Sequence, residues 1–470
     1  MGAPVLRRIA VLGNYGNLNL GDEATLESVC QFIRERCPGA VVCALSEYPE
    51  ETRRRHRIEA VPSAADARTG PAPSDPPRPG HVSQGGPGGL RSRLKAGLKR
   101  VPGLFAVLRA VVNTFRLLPE LGRQLRFSAK SFAFLRGVDL LVVAGGGQLS
   151  DHFVGMWGFP FQLFSWCLLA RCAGARVAVL NVGAGPIHGA ASRVLFRWTL
   201  RLADHRSYRD IRSRRLIEGI GLRDAGPVGP DLVFGWEPPV DTSPQAPPAT
   251  GRIVGLNVFP YKDWRYWPIP EAAAYATYIE KISEIALWLL GHGYRVRLFP
   301  TQLRADPRVI ADVLDKLTPR RTTAEAEALE VVAIATAQDL AREIREMDVI
   351  VATRFHAIVI AMLMGKPVLG LCNESKMTDL MADLGQGAYA LSLDELDVPR
   401  TIARFMDLEA NRGRVIADVT ERVRQARQAL EAQVEAVFGP RPARTAAAMA
   451  ASGRRDDSAR TARLGASTSR

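Results

Sequence analysis

Arg354 and His356 stand two residues apart at the head of an otherwise apolar run, DVIVATRFHAIVIAMLMGKPVLGL, from Asp348 to Leu371. A buried strand ends just before them and a helix opens with them. Their charge therefore faces solvent or a cleft, because burying it in the core is expensive. A guanidinium fork suits a carboxylate or a phosphate, and an imidazole beside it suits proton transfer near neutral pH. The competing reading is structural, with Arg354 paired to an acid and His356 capping the helix. Lys376 comes twenty residues after His356, past the strand GKPVLGLC, at a position from which it could reach the same cleft edge. In the first half, Arg209 and Asp210 sit at a strand end in DHRSYRDIRSRRLIEGIGL, ahead of a helix expected to begin near Ser213. Arg206, Arg212, Arg214 and Arg215 around them leave a solvated basic face as the plainer reading.

Three glycine-bearing loops are candidates for holding an anion at a cleft. The first is GNYGNLNLGDEA, Gly13 to Ala24, where Asn14, Asn17 and Asn19 offer amides and Asp22 is placed to cap a helix. The second is GGGQLSD, with Gly145, Gly146 and Gly147, and the third is GAGP, opening at Gly183. None fits GxGxxG with an acid about 20 residues on, and no GxxxxGK[ST] occurs, so dinucleotide and P-loop nucleotide binding are disfavoured. An elaborate strand-to-helix turn explains the first loop as well as a ligand does.

These groups need strands and helices to hold them, and the pattern supplies both. RRIAVLG, AVVCALS, VDLLVVAGGG and ARVAVLNVGAG read as mostly apolar strands. The helix from about Asp22 carries Leu26, Val29, Cys30 and Ile33 on one face. Apolar strands alternating with helices predict a parallel sheet covered on both faces. A cluster of prolines between Pro238 and Pro248 marks a linker, after which the pattern restarts with RIVGLNVF, a helix from about Glu271 to Leu290, and YRVRLFP. The fold class expected is α/β: two Rossmann-like, doubly wound domains facing across a cleft, where such sheets bind ligands. The first domain spans 1–236 with a disordered and basic insert at about 62–136, and the linker 237–251. The second domain spans 252–438, closed by a long helix from about Val398 to Phe438 in one or two pieces, with a disordered basic tail at 439–470.

The chain has 470 residues and a formal net charge of +14, but that charge is concentrated. Between Arg91 and Arg136 eleven Lys or Arg face the single acid Glu120, and after Pro440 seven Arg face Asp456 and Asp457. The rest is close to neutral, which argues against a nucleic-acid-binding fold. The basic segment mixes Leu, Val and Phe with Lys and Arg at helical spacing. That suits peripheral contact with an anionic membrane, or a helical hairpin packed on the body. The six cysteines are scattered with no zinc spacing, so reduced thiols and no metal site are expected. With no spanning run and no signal-peptide layout, the expected location is cytoplasmic, with peripheral association at the inner face of the plasma membrane as a further possibility.

Taken in order, GNYGNLNLGDEA, GGGQLSD, NVGAGPI, SYRDIRSRRLIEGIGL, VGPDLVF, TRFHAIVIAMLMGKPVLGL and NESK resemble the polysaccharide pyruvyl transferase family from about Ile9 to Leu384, the insert apart. The resemblance implies a glycosyltransferase-B-like fold and no metal or other cofactor in the chemistry, phosphoenolpyruvate being a co-substrate. It also implies transfer of an enolpyruvyl unit to two hydroxyls of one hexose as a pyruvate ketal, with release of phosphate. The acceptor expected is a saccharide or lipid-linked saccharide of cell-surface or exopolysaccharide synthesis. Arg209, His356 and Lys376 match the family's motifs at the donor site, and Phe355 departs from the more usual Leu. On this reading Arg209, Arg354 and Lys376 hold the donor and His356 is the general acid/base. Two other functions fit the same architecture: a nucleotide-sugar glycosyltransferase, and a non-catalytic scaffold of an exopolysaccharide assembly complex.

Overall fold

The computed structural model of the chain describes residues 6–67, 121–152, 154–223, 226–239, 251–267 and 269–439. Most of the expected insert, the core of the expected linker and the expected tail lie outside these residues. Two six-stranded sheets carry the fold. The first holds β1 (Arg8–Leu12), β2 (Val41–Ser46), β3 (Glu59–Pro62), β4 (Leu140–Ala144), β5 (Arg176–Val182) and β6 (His205–Tyr208) in the order β3-β2-β1-β4-β5-β6. The second holds β7 (Ile253–Asn257), β8 (Arg295–Phe299), β9 (Leu329–Val331), β10 (Val349–Ala352), β11 (Val368–Cys372) and β12 (Ala390–Ser392) in the order β12-β11-β10-β7-β8-β9. Every pairing is parallel, and each sheet reverses its winding once, between β1 and β4 and between β7 and β10. Loops at the carboxyl ends of those strand pairs form the crevice in which such sheets accept ligands.

Alternation along β1 shows why both faces must be covered. Ile9 and Val11 enter one apolar cluster, Ala10 and Leu12 the other, and all four are fully buried. The first of these clusters continues without a break into the second domain, through Leu26, Phe234 and Trp236 to Val254 and Ile358. The closing helix forms in two pieces, Val398–Ala410 and Arg412–Phe438, and the second returns to the first domain. There Arg36 pairs with Glu431 and Glu435, Arg427 donates to the Phe234 carbonyl, and Arg176 donates to the Val437 carbonyl. Of the basic segment, residues 121–135 are helical, with Leu135 buried and Phe127 edge-on to Trp166 against the first domain. No described helix is long and apolar enough to cross a membrane.

Two helix starts differ from expectation. Asn19, not Asp22, caps the helix Leu20–Arg36, its side chain accepting from Gly21 N–H, while Asp22 lies inside the first turn. The helix expected near Ser213 is Ile211–Gly219, because Asp210 is in extended backbone and its carboxylate accepts the Ser213 N–H at 2.6 Å. In both places the nearest residue able to accept from the second or third helical N–H took the capping role.

Candidate functional site

The turn that delivers the Arg354–His356 pair is built on Asn257, a buried amide at the end of β7. Its Oδ1 accepts the Arg354 N–H at 3.1 Å, its Nδ2 donates to the Phe299 carbonyl, and the Thr353 hydroxyl donates to its backbone carbonyl. The helix Phe355–Leu363 follows, with Arg354 at the capping position and no side-chain cap. His356 therefore does not cap this helix. Its ring points instead across the domain boundary and lies against the Cα of Gly21, where a Cβ would fall 2.0 Å from the imidazole Cγ. Only a glycine admits the ring there.

Arg209 reaches the same place from the other domain. Its guanidinium lies 4.5 Å from the Phe355 ring centre and so close over Gly183 that a Cβ on that residue would approach Nη2 to 2.7 Å. Asp231 links the two domains' contributions. It is buried, its Oδ1 accepts the Val233 N–H at 3.0 Å, and its Oδ2 lies 3.5 Å from Arg209 Nη1 and 4.0 Å from His356 Nε2. Lys376, second residue of the helix Ser375–Asp383, brings its ammonium 5.9 Å from the Phe355 ring while pairing with Glu374 at 2.8 Å. Two cations thus attend one aromatic ring beside a buried imidazole whose Nε2 has no hydrogen-bond partner.

Arg354, expected to bind the donor, carries an ion pair within its own domain. Its Nε donates at 3.2 Å to the fully buried Asp306, and its Nη2 donates to the same oxygen. Asp306 also accepts the Thr301 and Gln302 N–H groups. This is the structural pairing the sequence left open, so Arg354 supports the site through its charge and its backbone. The glycine loops are likewise more structural than expected. Asn17 accepts from Asn19 N–H, and Asn19 caps the helix, so both amide oxygens are occupied. The Gly145 N–H donates to Leu180, the Gly146 carbonyl accepts the Gly183 N–H at 2.7 Å, and Gly147 remains exposed beside them. Sequence reading passed over Asp231, Phe355 as a platform, Gly21 as a contact, and Asp306. The signals for Asp231 were its place in the VGPDLVF motif and its position between Pro230 and the apolar run Leu232–Phe234.

Burial pushes His356 down to about 4; Asp231 opposes this, while Arg209, Lys376 and Arg354 add to it. The imidazole is accordingly neutral at pH 7. Asp22 goes the other way, pushed up to about 7 by burial and by Glu23 beside it, against lowering hydrogen bonds from Asn14 and Asn17. A carboxyl with a raised folded pKa favours the fold at low pH and loses that contribution as pH rises through about 7. An imidazole with a depressed one favours the fold above about 6.5 and loses it as pH falls through about 4. The two slopes oppose each other in the range they share. Relative to wild type, Asp22→Asn is expected to gain about 4 kcal/mol of stability between pH 4 and pH 7, at ~1.36 kcal/mol for each pH unit between the folded and unfolded titrations. Urea unfolding at a series of pH values reads this, and a difference that stays constant with pH would contradict the assignment.

Comparison with known proteins bears on the family and the fold. A family model described as polysaccharide pyruvyl transferase matches residues 19–375, from the cap of the first helix to the start of the helix bearing Lys376. No curated protein matches the chain in sequence. Among solved structures, the S. aureus MnaA–UDP co-structure is similar with a TM-score of 0.51 at 10% identity, over 88% of this chain and 91% of that one. A UDP-N-acetylglucosamine 2-epimerase crystal structure gives 0.50 at 10% identity, over 93% and 96%. At such identities the likeness concerns the fold alone, which is glycosyltransferase-B-like, as expected.

Proposed function

The chain belongs to the polysaccharide pyruvyl transferase family, and on that premise we propose that it moves the enolpyruvyl unit of phosphoenolpyruvate onto two hydroxyls of one hexose, as a pyruvate ketal, with release of phosphate. The observation that carries this reading is the meeting of Arg209 from one domain with His356 and Lys376 from the other around Phe355 and Asp231. A small polyanion needs fixed donors in a partly dry cleft, and Arg209 and Lys376 offer a fork and a point charge without a carboxylate closing either off completely. No metal or organic cofactor enters the scheme.

In this scheme one acceptor hydroxyl attacks C2 of phosphoenolpyruvate as C3 takes up a proton, giving a tetrahedral carbon that bears methyl, carboxylate, phosphate and the sugar oxygen. The C2–O bond to phosphate then breaks, the second hydroxyl closes the ketal, and its proton leaves with the phosphate. His356, neutral before the donor binds, accepts a hydroxyl proton at Nε2 and passes a proton to the C3 face. The donor's negative charge raises the imidazole's pKa from about 4 toward the working range. Asp231 holds Arg209 and faces the imidazolium as it forms.

The acceptor is in this reading a saccharide or lipid-linked saccharide of exopolysaccharide or cell-surface synthesis, with the basic residues 91–136 touching an anionic membrane from the cytoplasmic side. Phosphate release from phosphoenolpyruvate with a panel of sugar acceptors tests the activity. A rise in Tm with phosphoenolpyruvate and none with a uridine-diphosphate sugar tests the donor, and the opposite pattern overturns it. Arg209→Lys keeps the charge and loses the fork. It is expected to raise KM for phosphoenolpyruvate about tenfold to a hundredfold, as loss of charge-assisted hydrogen bonds does, with kcat less affected. An unchanged KM would remove Arg209 from the donor site.

A further inference from the structure

The two domains also meet through the loops beside the Gly21–His356 contact, and one buried arginine there keeps unpaired donors. Leu20 N–H donates to the Thr301 carbonyl at 2.9 Å, Leu303 N–H to the Leu18 carbonyl at 3.0 Å, and Gln302 Nε2 to the Asn17 carbonyl at 3.2 Å. Next in the chain is Arg304, 8% exposed. Its guanidinium stacks 4.5 Å from the ring centre of Tyr48, the first domain's residue just after β2, and its Nη1 donates to the Tyr48 hydroxyl at 3.2 Å. Its Nε and Nη2, both buried, have no partner.

Those two nitrogens form the side-on edge of the guanidinium, the pair that binds both oxygens of a carboxylate or phosphoryl group. Arg8 and Arg412 also bury an Nε without a hydrogen bond, but each has a carboxylate on another nitrogen, and Arg176 donates from Nη2 to the Val437 carbonyl. No ion pair joins Arg304 to any described carboxylate, and Asp306 two residues on is already taken by Arg354, Thr301 and Gln302. Burying a cation with its best hydrogen-bonding edge unpaired is unfavourable.

Arg304 and Arg209 meet the domain boundary at different places along the first sheet. Tyr48 follows β2 and Arg209 follows β6, four positions apart in the sheet. At ~4.8 Å per strand this is about 19 Å, more than a three-carbon acid spans. The geometry points to a second anion seat between the domains, formed by Arg304 on Tyr48, which takes a carboxylate or phosphoryl group of the second substrate as the cleft closes on it. Assigning the anion to the acceptor rests on the function proposed above; the seat itself does not. Because the edge is covered by the domain contact, a ligand reaches it when the Leu18–Leu303 and Leu20–Thr301 pairings part, and its arrival favours their closure.

Inorganic pyrophosphate and glucuronate are suitable probes with the full chain, by calorimetry and by small-angle scattering. At least one is expected to bind wild type and reduce its radius of gyration. Arg304→Gln is expected to weaken that binding about tenfold to a hundredfold, while leaving the phosphoenolpyruvate-induced rise in Tm in place. Response to pyrophosphate alone assigns the seat to a phosphoryl group, and response to glucuronate alone to a carboxylate. Failure of wild type to bind either probe, or binding that Arg304→Gln leaves unchanged, overturns the proposal. If that variant does not fold, Arg304→Lys, which keeps the charge without the two-donor edge, is read in the same way. A wild type that ignores phosphoenolpyruvate yet binds a probe through Arg304 would remove the function proposed above and leave this seat standing.

Discussion

His356→Gln is expected to lower phosphate release by about 10²- to 10⁴-fold, the usual worth of a positioned general acid/base, with the fold intact. Gln fills nearly the same space against Gly21 and carries no proton in the working range, so it separates packing from proton transfer. The imidazole is suited to the task because it is buried, neutral at pH 7, and faces Asp231 across 4.0 Å with Nε2 unpaired. Asp231 accounts for part of the effect, since a carboxylate beside the ring stabilises the imidazolium that forms. Steady-state phosphate release beside a thermal melt measures both properties. Turnover within a few-fold of wild type, at an unchanged Tm, would show that another group moves the proton.

The second large effect is expected from a residue 335 positions earlier in the chain. Gly21→Ala places a methyl group 2.0 Å from the Cγ of His356, and neither neighbour has room to yield. Gly21 lies in the first turn of a buried helix, tied to the second domain by the Leu20–Thr301 hydrogen bond. His356 opens a helix fixed by Asn257. Either the imidazole turns away from Asp231 or the domain contact loosens. Overpacking of this kind costs about 1–3 kcal/mol, and displacement of the ring is expected to bring kcat down nearly as far as His356→Gln does. A double variant, Gly21→Ala with His356→Gln, should then be little worse than either alone, because both remove the same act. Full additivity of the two losses in kcat would mean that the contact with Gly21 does not position the imidazole.

Much of the architecture could be read from local pattern. Continuous apolar strands such as those around Ile9–Leu12 and Leu140–Val143 have few alternatives to a covered parallel sheet, and helices between them follow from 3.6-residue spacing. The edge strands β9 and β12 did not stand out, since three-residue strands with exposed positions carry little periodicity. Helix starts were misplaced where several capping residues crowd together, as with Asn17, Asn19 and Asp22. Local propensity cannot choose among them, and the choice falls to the backbone path imposed by the Asn19–Gln302 bridge to the other domain.

The chain alone determined which residue types were available for chemistry: an Arg and a His at a strand end, an Arg before a helix, a Lys one strand on. It also determined that two doubly wound domains would carry them. Tertiary structure decided which of these groups are free to act. Arg354 and Arg209 look alike in sequence, yet Asp306 holds the first through a buried pair while the second keeps a face toward Phe355 and the imidazole. That outcome depends on carboxylates distant in the chain, at 231 and 306, and on Gly21 allowing the ring to cross the boundary. Charge pairing and close contact are set by distance in space, which residue spacing along the chain does not contain.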